Sequence, residues 1–358
     1  MSTLELVLSN LIEPVSGLTL SALNAVKSIE QQHDKISVEL EFPFANGQFE
    51  SRLSNDQRQQ LEQAVGSKSI DWQVTHAIEA TAGERLPNLS NVKNIIAISS
   101  GKGGVGKSTT AVNLALALKA EGASVALLDA DIYGPSLPLM LGCENEKPGL
   151  PDGKQMMIPV SAHGLIVNSV GFLVPDDTAT VWRGPMAAGV LQQLLRDTIW
   201  GDVDYLVVDM PPGTGDIQLT LAQVVPVSAA VIVTTPQTIA LADAVKGIAM
   251  YNKVNVPVAG VIENMSYHLC SNCGHHDYLF GQDGGQRIAA HYEVPLLGAL
   301  PLDKVIGDDV EAGEPTVIAT PESALSRGYH NAAVATAAQL WQLSANQSPV
   351  VSIDASDD

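Results

Sequence analysis

A glycine-rich segment with two lysines and a serine has the composition of a phosphate-binding loop. The sequence GKGGVGKST follows the apolar run IIAIS and leads directly into a helical pattern. Glycines let consecutive backbone N–H groups face phosphate oxygens, and a helix N-terminus adds its partial positive charge. Lys107 would bind the β- and γ-phosphates, and the Ser108 hydroxyl would ligate Mg²⁺. The predicted ATP-binding residues are Gly101, Lys102, Gly103, Gly104, Val105, Gly106, Lys107, Ser108 and Thr109.

Carboxylates follow two other apolar runs. The run VDYLVVD ends at Asp209, and the run VALLD ends at Asp129 and is followed closely by Asp131. Because the carboxyl ends of parallel strands meet at one edge of a sheet, these carboxylates are expected beside the phosphates. Asp209 would hold Mg²⁺ through water. Either Asp129 or Asp131 would orient the water that attacks ATP, and the spacing does not choose between them.

Two cysteines at C-x-x-C spacing form the metal-like cluster of the chain. Cys270 and Cys273 have His268, His275 and His276 beside them. A redox-active pair usually opens a helix, which Gly274 and the two histidines disfavour. Two thiolates with two histidines would suit mononuclear zinc within one chain, and the residues alone favour this interpretation. Two copies of the pair would instead supply the four thiolates of a [4Fe–4S] cluster.

The elements that must position these residues predict an α/β protein. Short apolar runs at residues 95–98, 125–128, 205–208, 231–233 and 258–262 alternate with helical patterns. Nearly continuous apolar strands are typical of a parallel sheet covered on both faces. We therefore predict a doubly wound, mainly parallel P-loop domain over residues 92–345, with an inserted hairpin at 155–172.

A smaller α+β unit is predicted before this domain. Residues 1–80 combine a helical pattern with two alternating runs, which is typical of half-buried strands. They contain no catalytic constellation, so we expect a docking or assembly unit. The polar stretch at residues 81–91 is interpreted as a linker. Residues 346–358 are expected to form an acidic disordered tail.

The composition restricts the classes of partner. The chain has 358 residues, of which 46% are hydrophobic and 16% charged, so a sizeable core is expected. Its formal net charge of −20 repels nucleic-acid phosphates and anionic lipid headgroups, so we expect no nucleic-acid or membrane partner. Three cysteines are no disulfide framework, and neither a signal peptide nor a membrane span is recognisable. The expected location is the cytoplasm.

Taken together, the motifs resemble one known family. GKGGVGKST, with its extra Lys102, is similar to the deviant Walker A ATPases, the group of MinD and ParA. The motifs DADIYGPS, WRGPM, DMPPGTGD, ENMS and CSNC resemble the Mrp/ApbC-type iron–sulfur cluster carriers and occur in that family's order. The resemblance covers roughly residues 92–345 and extends more weakly to the N-terminal unit. Relatives often carry a cysteine in that unit, whereas this chain has none before Cys143, which argues against a cluster role for residues 1–80.

The resemblance implies particular roles. Lys102 would reach the partner's phosphates across a homodimer, and Asp131 would be the switch carboxylate that places the hydrolytic water. Asn264 would contact the adenine edge, since an amide both donates and accepts. Cys270 and Cys273 of two subunits would bridge a [4Fe–4S] cluster. The resemblance thus implies an ATP- and Mg²⁺-dependent carrier that hydrolyses ATP slowly and transfers its cluster to apoproteins.

Other functions of related ATPases fit the sequence less well. A MinD-like positioning ATPase would need a basic amphipathic C-terminal helix, whereas this chain ends in NQSPVVSIDASDD. A ParA-like ATPase would need a basic DNA-binding face, which the net charge disfavours. Electron transfer like that of the nitrogenase iron protein uses a different cysteine arrangement. A P-loop ATPase with a structural zinc at the C-x-x-C remains the further alternative.

Overall fold

The computed structural model describes residues 3–31, 33–81, 89–151, 156–173, 184–270 and 272–346. The N-terminal unit contains a three-stranded sheet of order β1-β2-β3, in which β1 and β2 are antiparallel and β2 and β3 parallel. Alternate side chains of β2 are buried, as the alternating pattern predicts. The elements of this unit are α1 (Thr3–Asn10), β1 (Val26–Gln31), β2 (Lys35–Phe42), α2 (Phe49–Arg52), α3 (Asn55–Val65) and β3 (Ser69–His76).

The second unit is built on a single eight-stranded sheet. Its order is β13-β10-β9-β4-β8-β5-β7-β6, and every pairing is parallel except that of β6 with β7. The strands are β4 (Val92–Ser99), β5 (Val125–Asp129), β6 (Val160–Ala162), β7 (Leu165–Ser169), β8 (Val203–Asp209), β9 (Ala229–Thr234), β10 (Val258–Glu263) and β13 (Leu296–Ala299).

Helices cover both faces of this sheet. Ile96 and Ile98 of β4 belong to one hydrophobic core, whereas Ile95 and Ala97 belong to the other. Both faces are therefore buried, which explains the nearly continuous apolar strands. The helices are α4 (Lys107–Ala120), α5 (Leu137–Met140), α6 (Gly184–Asp197), α7 (Asp216–Val224), α8 (Thr238–Lys253), α9 (Gly284–His291), α10 (Lys304–Glu311), α11 (Thr316–Ala319) and α12 (Ala324–Asn346), and a small hairpin joins β11 (His268–Leu269) to β12 (His276–Asp277).

The predicted inserted hairpin is present and joins the main sheet. β6 and β7 pair across a turn at His163 and Gly164, both of which have positive φ. β7 also pairs in parallel with β5, so the hairpin forms the edge of the eight-stranded sheet. Residue 155, with which the prediction began, lies outside the described residues. So do residues 82–88 of the predicted linker, residues 182 and 183 of WRGPM, and residues 347–358 of the predicted tail.

The N-terminal unit packs directly on the P-loop domain. The two units share one hydrophobic core, and the Phe44 ring lies 6.2 Å from that of Trp341. At its edge, the fully buried carboxylate of Glu121 pairs with Arg52. The same carboxylate accepts a hydrogen bond from the backbone N–H of Gln48 at 2.9 Å and lies 2.7 Å from His330 Nδ1. These contacts fix the position of the N-terminal unit.

Within the described part of the chain, no helix combines the length and the hydrophobicity needed to cross a lipid bilayer.

Candidate functional site

The glycine-rich loop connects β4 to α4 and has a backbone that requires glycine. Gly106, the residue before α4, has a φ of 80° in the left-handed region. A Cβ at that position would lie 2.1 Å from Asn264 Nδ2. A Cβ at Gly101 would lie 2.1 Å from the carbonyl oxygen of Asp243 on α8. Packing against two other segments therefore selects glycine, in addition to any need to approach phosphates.

Lys107 lies among the carboxylates that the sequence analysis predicted to be near it. Its buried Nζ is 2.6 Å from Asp209 Oδ1, 3.4 Å from Asp131 Oδ2 and 3.3 Å from Ser108 Oγ. Asp129 and Asp209 are register partners on β5 and β8, so both carboxylates end at the same sheet edge. The fold thus gathers three of the predicted site residues, Asp209, Asp131 and Ser108, around the ammonium group of Lys107.

Asp209 has unused capacity to hold Mg²⁺. The residue is completely buried, and its Oδ2 atom has no hydrogen-bond partner among the described residues. Burial raises the pKa of this carboxyl, and the neighbouring Lys107 opposes that rise. A buried oxygen without a partner is costly unless a ligand or water reaches it. Asp209 Oδ2 and the nearby Ser108 hydroxyl are hard oxygen donors, so they fit the magnesium ion that the fold implies.

The structure distinguishes Asp129 from Asp131, which the spacing did not. Asp129 Oδ1 accepts from the backbone N–H of Asp131 at 3.1 Å, and Oδ2 accepts from those of Ser136 and Leu137 at 3.1 and 3.2 Å. The Ser169 hydroxyl donates to Oδ2 at 3.0 Å. Asp129 therefore organises the loop that carries Asp131. Burial, together with the charge of Asp209, raises its pKa to about 7. This structural role was missed because its donors follow Asp129 in the loop or come from β7.

Asp131 is the carboxylate directed towards the phosphate loop. Its Oδ2 pairs with Lys107, and its Oδ1 accepts a long hydrogen bond, of 3.4 Å, from the Tyr133 N–H. This position agrees with the expected switch role, which stays a prediction.

Lys102 is partly exposed, and its side chain contacts the residue before α8. Its Nζ lies 3.4 Å from the side-chain oxygen of Gln237, the residue before α8. The loop is also tied to the DMPPGTGD segment, because the Gly213 N–H donates to the Ser100 carbonyl at 2.8 Å. The sequence analysis did not predict a role for Gln237. The one feature that could have identified it as a site residue is its position after β9, at the C-terminal edge of the sheet. The expected reach of Lys102 into a partner subunit stays a prediction.

Asn264 contacts the phosphate loop. Its Nδ2 donates to the Val105 carbonyl at 2.9 Å, across 159 positions of sequence. A side-chain amide has two N–H donors and a carbonyl acceptor, so this bond leaves capacity for a further partner. The expected contact with adenine stays a prediction.

Cys270 and Cys273 lie in the turn of the β11–β12 hairpin. The Cys270 N–H donates to the His275 carbonyl at 2.9 Å, and the Gly274 N–H donates to the Cys270 carbonyl at 2.8 Å. Gly274 has a φ of 70°, which closes the turn. The backbone N–H groups of Asn272 and Cys273 donate hydrogen bonds to the Cys270 sulfur. Both bonds lower the pKa of this thiol, and that of Asn272 has the larger effect. The turn thus stabilises the thiolate form, which binds metals.

The histidines near the cysteine turn make other contacts. His268 Nδ1 lies 3.0 Å from the Leu302 carbonyl oxygen, and the His276 ring stacks on Tyr267 at 4.7 Å. Among the described residues, no three His, Cys, Asp or Glu side chains form a group that could hold a metal ion. Cys273 is exposed and Cys270 half-buried. The turn is not the start of a helix, which removes the main structural requirement of the redox interpretation.

Cys143 lies apart from this turn in the hydrophobic core. Burial, with smaller effects of Glu146 and Glu144, raises the pKa of its thiol to about 11. A buried protonated thiol is typical of a packing residue.

Comparison with protein families gives one match over most of the chain. Residues 91–337 match the model of the ParA family described as NUBPL iron-transfer P-loop NTPase. The chain belongs to this family. It is therefore a P-loop NTPase, and the doubly wound α/β fold predicted from the sequence is confirmed.

Similar proteins extend the match into the N-terminal unit. The chain is 53% identical over 337 residues to the iron-sulfur cluster carrier protein of Escherichia coli, covering 94% of this chain and 91% of that protein. It is 50% identical over 331 residues to the protein of the same name from Haemophilus influenzae, covering 92% and 89%. The iron-sulfur cluster transfer protein NUBPL of Dictyostelium discoideum is 45% identical over 253 residues, covering 69% and 78%.

Solved structures agree with this assignment of the fold. A nucleotide-binding protein from Archaeoglobus fulgidus, determined in complex with ADP, has a TM-score of 0.58 and 35% identity and covers 66% of this chain and 91% of its own. The cell division ATPase MinD of Pyrococcus furiosus has a TM-score of 0.51 at 23% identity, covering 68% and 97%. The second comparison supports the fold alone.

Proposed function

We propose that this protein is an ATP-hydrolysing iron–sulfur cluster carrier that holds a [4Fe–4S] cluster between two subunits and transfers it to apoproteins. The observation that carries the proposal is the cysteine turn. A chain of the iron-transfer P-loop NTPase family presents two thiols on a turn whose backbone favours the thiolate of Cys270. One such turn supplies two ligands, and a [4Fe–4S] cluster takes four.

The nucleotide site would use residues that are already neighbours. On binding ATP, Lys107 would exchange its carboxylate partners for the β- and γ-phosphates, while the loop N–H groups would donate hydrogen bonds to the phosphate oxygens. Asp131, released from Lys107, would then orient the attacking water. Asp209 and Ser108 would hold Mg²⁺, which when bound neutralises charge on the phosphates. Lys102 would leave Gln237 and contact the phosphates of the ATP bound to the partner subunit.

The cargo would lie at the surface shared by two copies of the chain. Each subunit would supply two thiolates, from Cys270 and Cys273, so the dimer would supply four. No ligand would be required from His275 or His276. The exposure of Cys273 suits a cluster that must leave as well as bind. We place this activity in the cytoplasm, without membrane or nucleic-acid partners, on the basis of the net charge and the lack of a disulfide framework.

The test is anaerobic reconstitution of the full chain with iron and sulfide. We expect about one [4Fe–4S] cluster per dimer, measured by iron and acid-labile sulfide analysis with size determination in solution. Either Cys270→Ser or Cys273→Ser should abolish stable binding, because a hydroxyl oxygen is a poor ligand for iron in a sulfide cluster. Cys143→Ser is the matched control and should leave cluster content unchanged, because its thiol is buried and remote in sequence.

A different result would favour the structural-zinc alternative. Stoichiometric zinc without acid-labile sulfide on a monomer, lost when His275 or His276 is changed, would refute the carrier proposal. Transfer is tested separately by adding an apoprotein that requires a [4Fe–4S] cluster and following its activation. A loaded protein that never activates the acceptor would be a cluster-binding ATPase and not a carrier.

A further inference from the structure

The four residues 263–266 lie between the phosphate loop and the cysteine turn. They follow β10, whose last residue is Glu263, and they lead through Tyr267 into the β11–β12 hairpin. Neither Glu263 nor Ser266 belongs to the predicted nucleotide or cluster ligands. Both side chains are nonetheless buried, with exposed fractions of 3% and 6%.

On one side, this segment touches the phosphate loop. Asn264 Nδ2 donates to the Val105 carbonyl at 2.9 Å, and the same nitrogen fills the space in which a Cβ of Gly106 would lie. The terminal methyl group of Met265 would lie 3.7 Å from that Cβ position. If the loop backbone moves when it binds phosphates, Asn264 and Met265 would therefore be displaced directly.

On the other side, the carboxylate of Glu263 holds both ends of the segment that carries the cysteines. Its Oε1 accepts from the Ser266 hydroxyl at 2.6 Å, before the hairpin. Its Oε2 accepts from the backbone N–H of Gly285, in the first turn of α9 after the hairpin. A Cβ at Gly285 would lie 2.9 Å from that of Glu263, so glycine permits this close approach. Cys270 and Cys273 lie between the two anchored points.

Backbone hydrogen bonds make this segment a stiff connection. The Leu300 N–H donates to the Glu263 carbonyl, and the Ser266 N–H donates to the Leu300 carbonyl, each at 2.8 Å. The Leu302 N–H donates to the Tyr267 carbonyl at 2.7 Å. Met265 is held at a φ of 54°, a left-handed conformation that few residues other than glycine adopt. The segment is thus fixed on both sides of Met265, and displacement at Asn264 would be passed to Ser266.

We propose that Glu263 is a positioning residue that couples nucleotide binding at the phosphate loop to the position of the cysteine hairpin. The proposal rests on the proposed function, because the coupling is the route by which ATP would alter the affinity of the cysteines for the cluster. A ligand shifts such an equilibrium only through different contacts in the two states, and the Asn264–Val105 bond supplies a contact that phosphate binding can change. The coupling must be reciprocal, so cluster binding at the cysteines would alter nucleotide affinity by the same factor by which nucleotide alters cluster affinity.

The test uses the full chain without a cluster and compares hydrogen exchange of residues 266–285 with and without saturating MgADP. Allosteric coupling of ordinary strength predicts a change of about fivefold or more in wild-type exchange rates. Glu263→Gln keeps the side-chain volume but cannot accept from both Ser266 and Gly285 in the same way. Ser266→Ala removes one anchor with minimal change in packing. In both variants the response should fall below about twofold while MgADP still binds.

The matched control is Glu121→Gln, which alters an equally buried carboxylate at the interface with the N-terminal unit. It should keep the wild-type response in residues 266–285, even though it lowers stability. A wild-type hairpin whose exchange is indifferent to MgADP would overturn the proposal. So would a wild-type response in both Glu263→Gln and Ser266→Ala.

A second measurement separates this proposal from the carrier function. In reconstituted protein, MgADP should change the rate at which a ferrous chelator captures iron, and Glu263→Gln should remove that dependence at unchanged initial iron content. A nucleotide response of the cluster-free hairpin in a chain that binds no cluster would refute the carrier function and leave the coupling intact. Cluster binding with an unresponsive hairpin would refute the coupling alone.

Discussion

At the scale of single residues, the phosphate loop places one ammonium group among several carboxylates. Lys107 pairs with Asp209 and Asp131, and Asp129 lies next to Asp209 on the neighbouring strand. Each carboxylate has a different environment: Asp209 has an unpartnered oxygen, Asp129 is saturated by loop donors, and Asp131 has few partners besides Lys107. These differences let three chemically identical side chains serve different roles.

Two substitutions in this group should separate ATP binding from ATP hydrolysis. Lys107→Ala removes the main cation facing the phosphates, so nucleotide affinity should fall at least about tenfold. Asp131→Asn removes the carboxylate that competes for Lys107, so binding should be kept while hydrolysis falls roughly 100-fold or more. Calorimetric titration with ADP and steady-state phosphate release measure the two effects. Hydrolysis at the wild-type rate by Asp131→Asn would show that another residue places the water.

The raised pKa of Asp129 predicts a pH-dependent stability. Between its ordinary pKa of 3.8 and about 7, the folded protein keeps the proton that the unfolded chain releases. Stability from this group therefore falls as pH rises through that window, by at most about 1.4 kcal/mol per pH unit. The Asn side chain of Asp129→Asn does not titrate, so its free energy of unfolding should not fall in this window through this group. The difference in free energy of unfolding between wild type and Asp129→Asn should therefore shrink between pH 5 and pH 7. Urea unfolding at several pH values measures the difference.

Ser169→Ala is the control for this pH effect. It removes a donor to Asp129 without removing a titratable group, so its destabilisation should vary much less with pH. An Asp129→Asn difference that stays constant from pH 5 to pH 7 would contradict the raised pKa.

At the scale of elements, the β11–β12 hairpin is a preformed turn for two thiols. Its shape depends on Gly274, whose φ is 70° and whose Cβ position has open space around it. The cost of a side chain there is therefore purely conformational. The hairpin lies at the surface, and its two strands have only two residues each. Loss of the turn should thus affect the thiols more than the fold.

Gly274→Ala should weaken cluster retention with little effect on global stability. The left-handed conformation costs alanine about 1–2 kcal/mol. We expect the turn to open, because opening relieves this cost. We expect faster loss of iron to a chelator in reconstituted protein at an almost unchanged unfolding midpoint. Gly17→Ala is the matched control, since Gly17 also has a φ of 70° in open space but lies in the N-terminal unit. Equal iron loss from both variants would mean that the turn geometry does not matter.

At the scale of the whole molecule, a buried charge cluster joins the N-terminal unit to the P-loop domain. Burial would raise the pKa of Glu121, but hydrogen bonds from His330, Gln48 and Arg52 and the charge of Arg52 outweigh it, so the pKa is lowered. A lowered carboxyl pKa gives stability that is present at neutral pH and is lost as pH falls below its ordinary value. The N-terminal unit is therefore held in place by an interaction that requires ionised Glu121.

Arg52→Ala should destabilise the whole protein. It leaves Glu121 buried without its ion-pair partner, which typically costs about 3–5 kcal/mol. Arg58→Ala is the control, because within the described part of the chain the Arg58 guanidinium donates only to the backbone carbonyls of Leu53 and Glu50, and its loss should cost about 1 kcal/mol or less. Urea unfolding measures both. Equal stabilities of the two variants would show that the buried pair contributes little.

The sequence by itself determined the fold class and predicted the residues that the structure gathers around Lys107. The phosphate loop is contiguous, so its glycines, Lys107 and Ser108 are positioned by a short stretch of backbone between a strand and a helix. Asp209 ends an apolar strand, and parallel strands bring such ends to one edge. The C-x-x-C was visible as a metal-like pair for the same reason, since four residues suffice to form the turn.

Only the tertiary structure decided the interactions between distant segments. The different surroundings of Asp129 and Asp131 depend on which loop N–H groups and which hydroxyl of β7 donate to Asp129. The contact of Asn264 with Val105 and the two anchors of Glu263 join residues from different strands, loops and helices. The Arg52–Glu121 pair crosses from one unit to the other. Hydrophobic periodicity predicts which residues are buried, but the partner of a buried polar group depends on how the elements pack, and no local pattern records that.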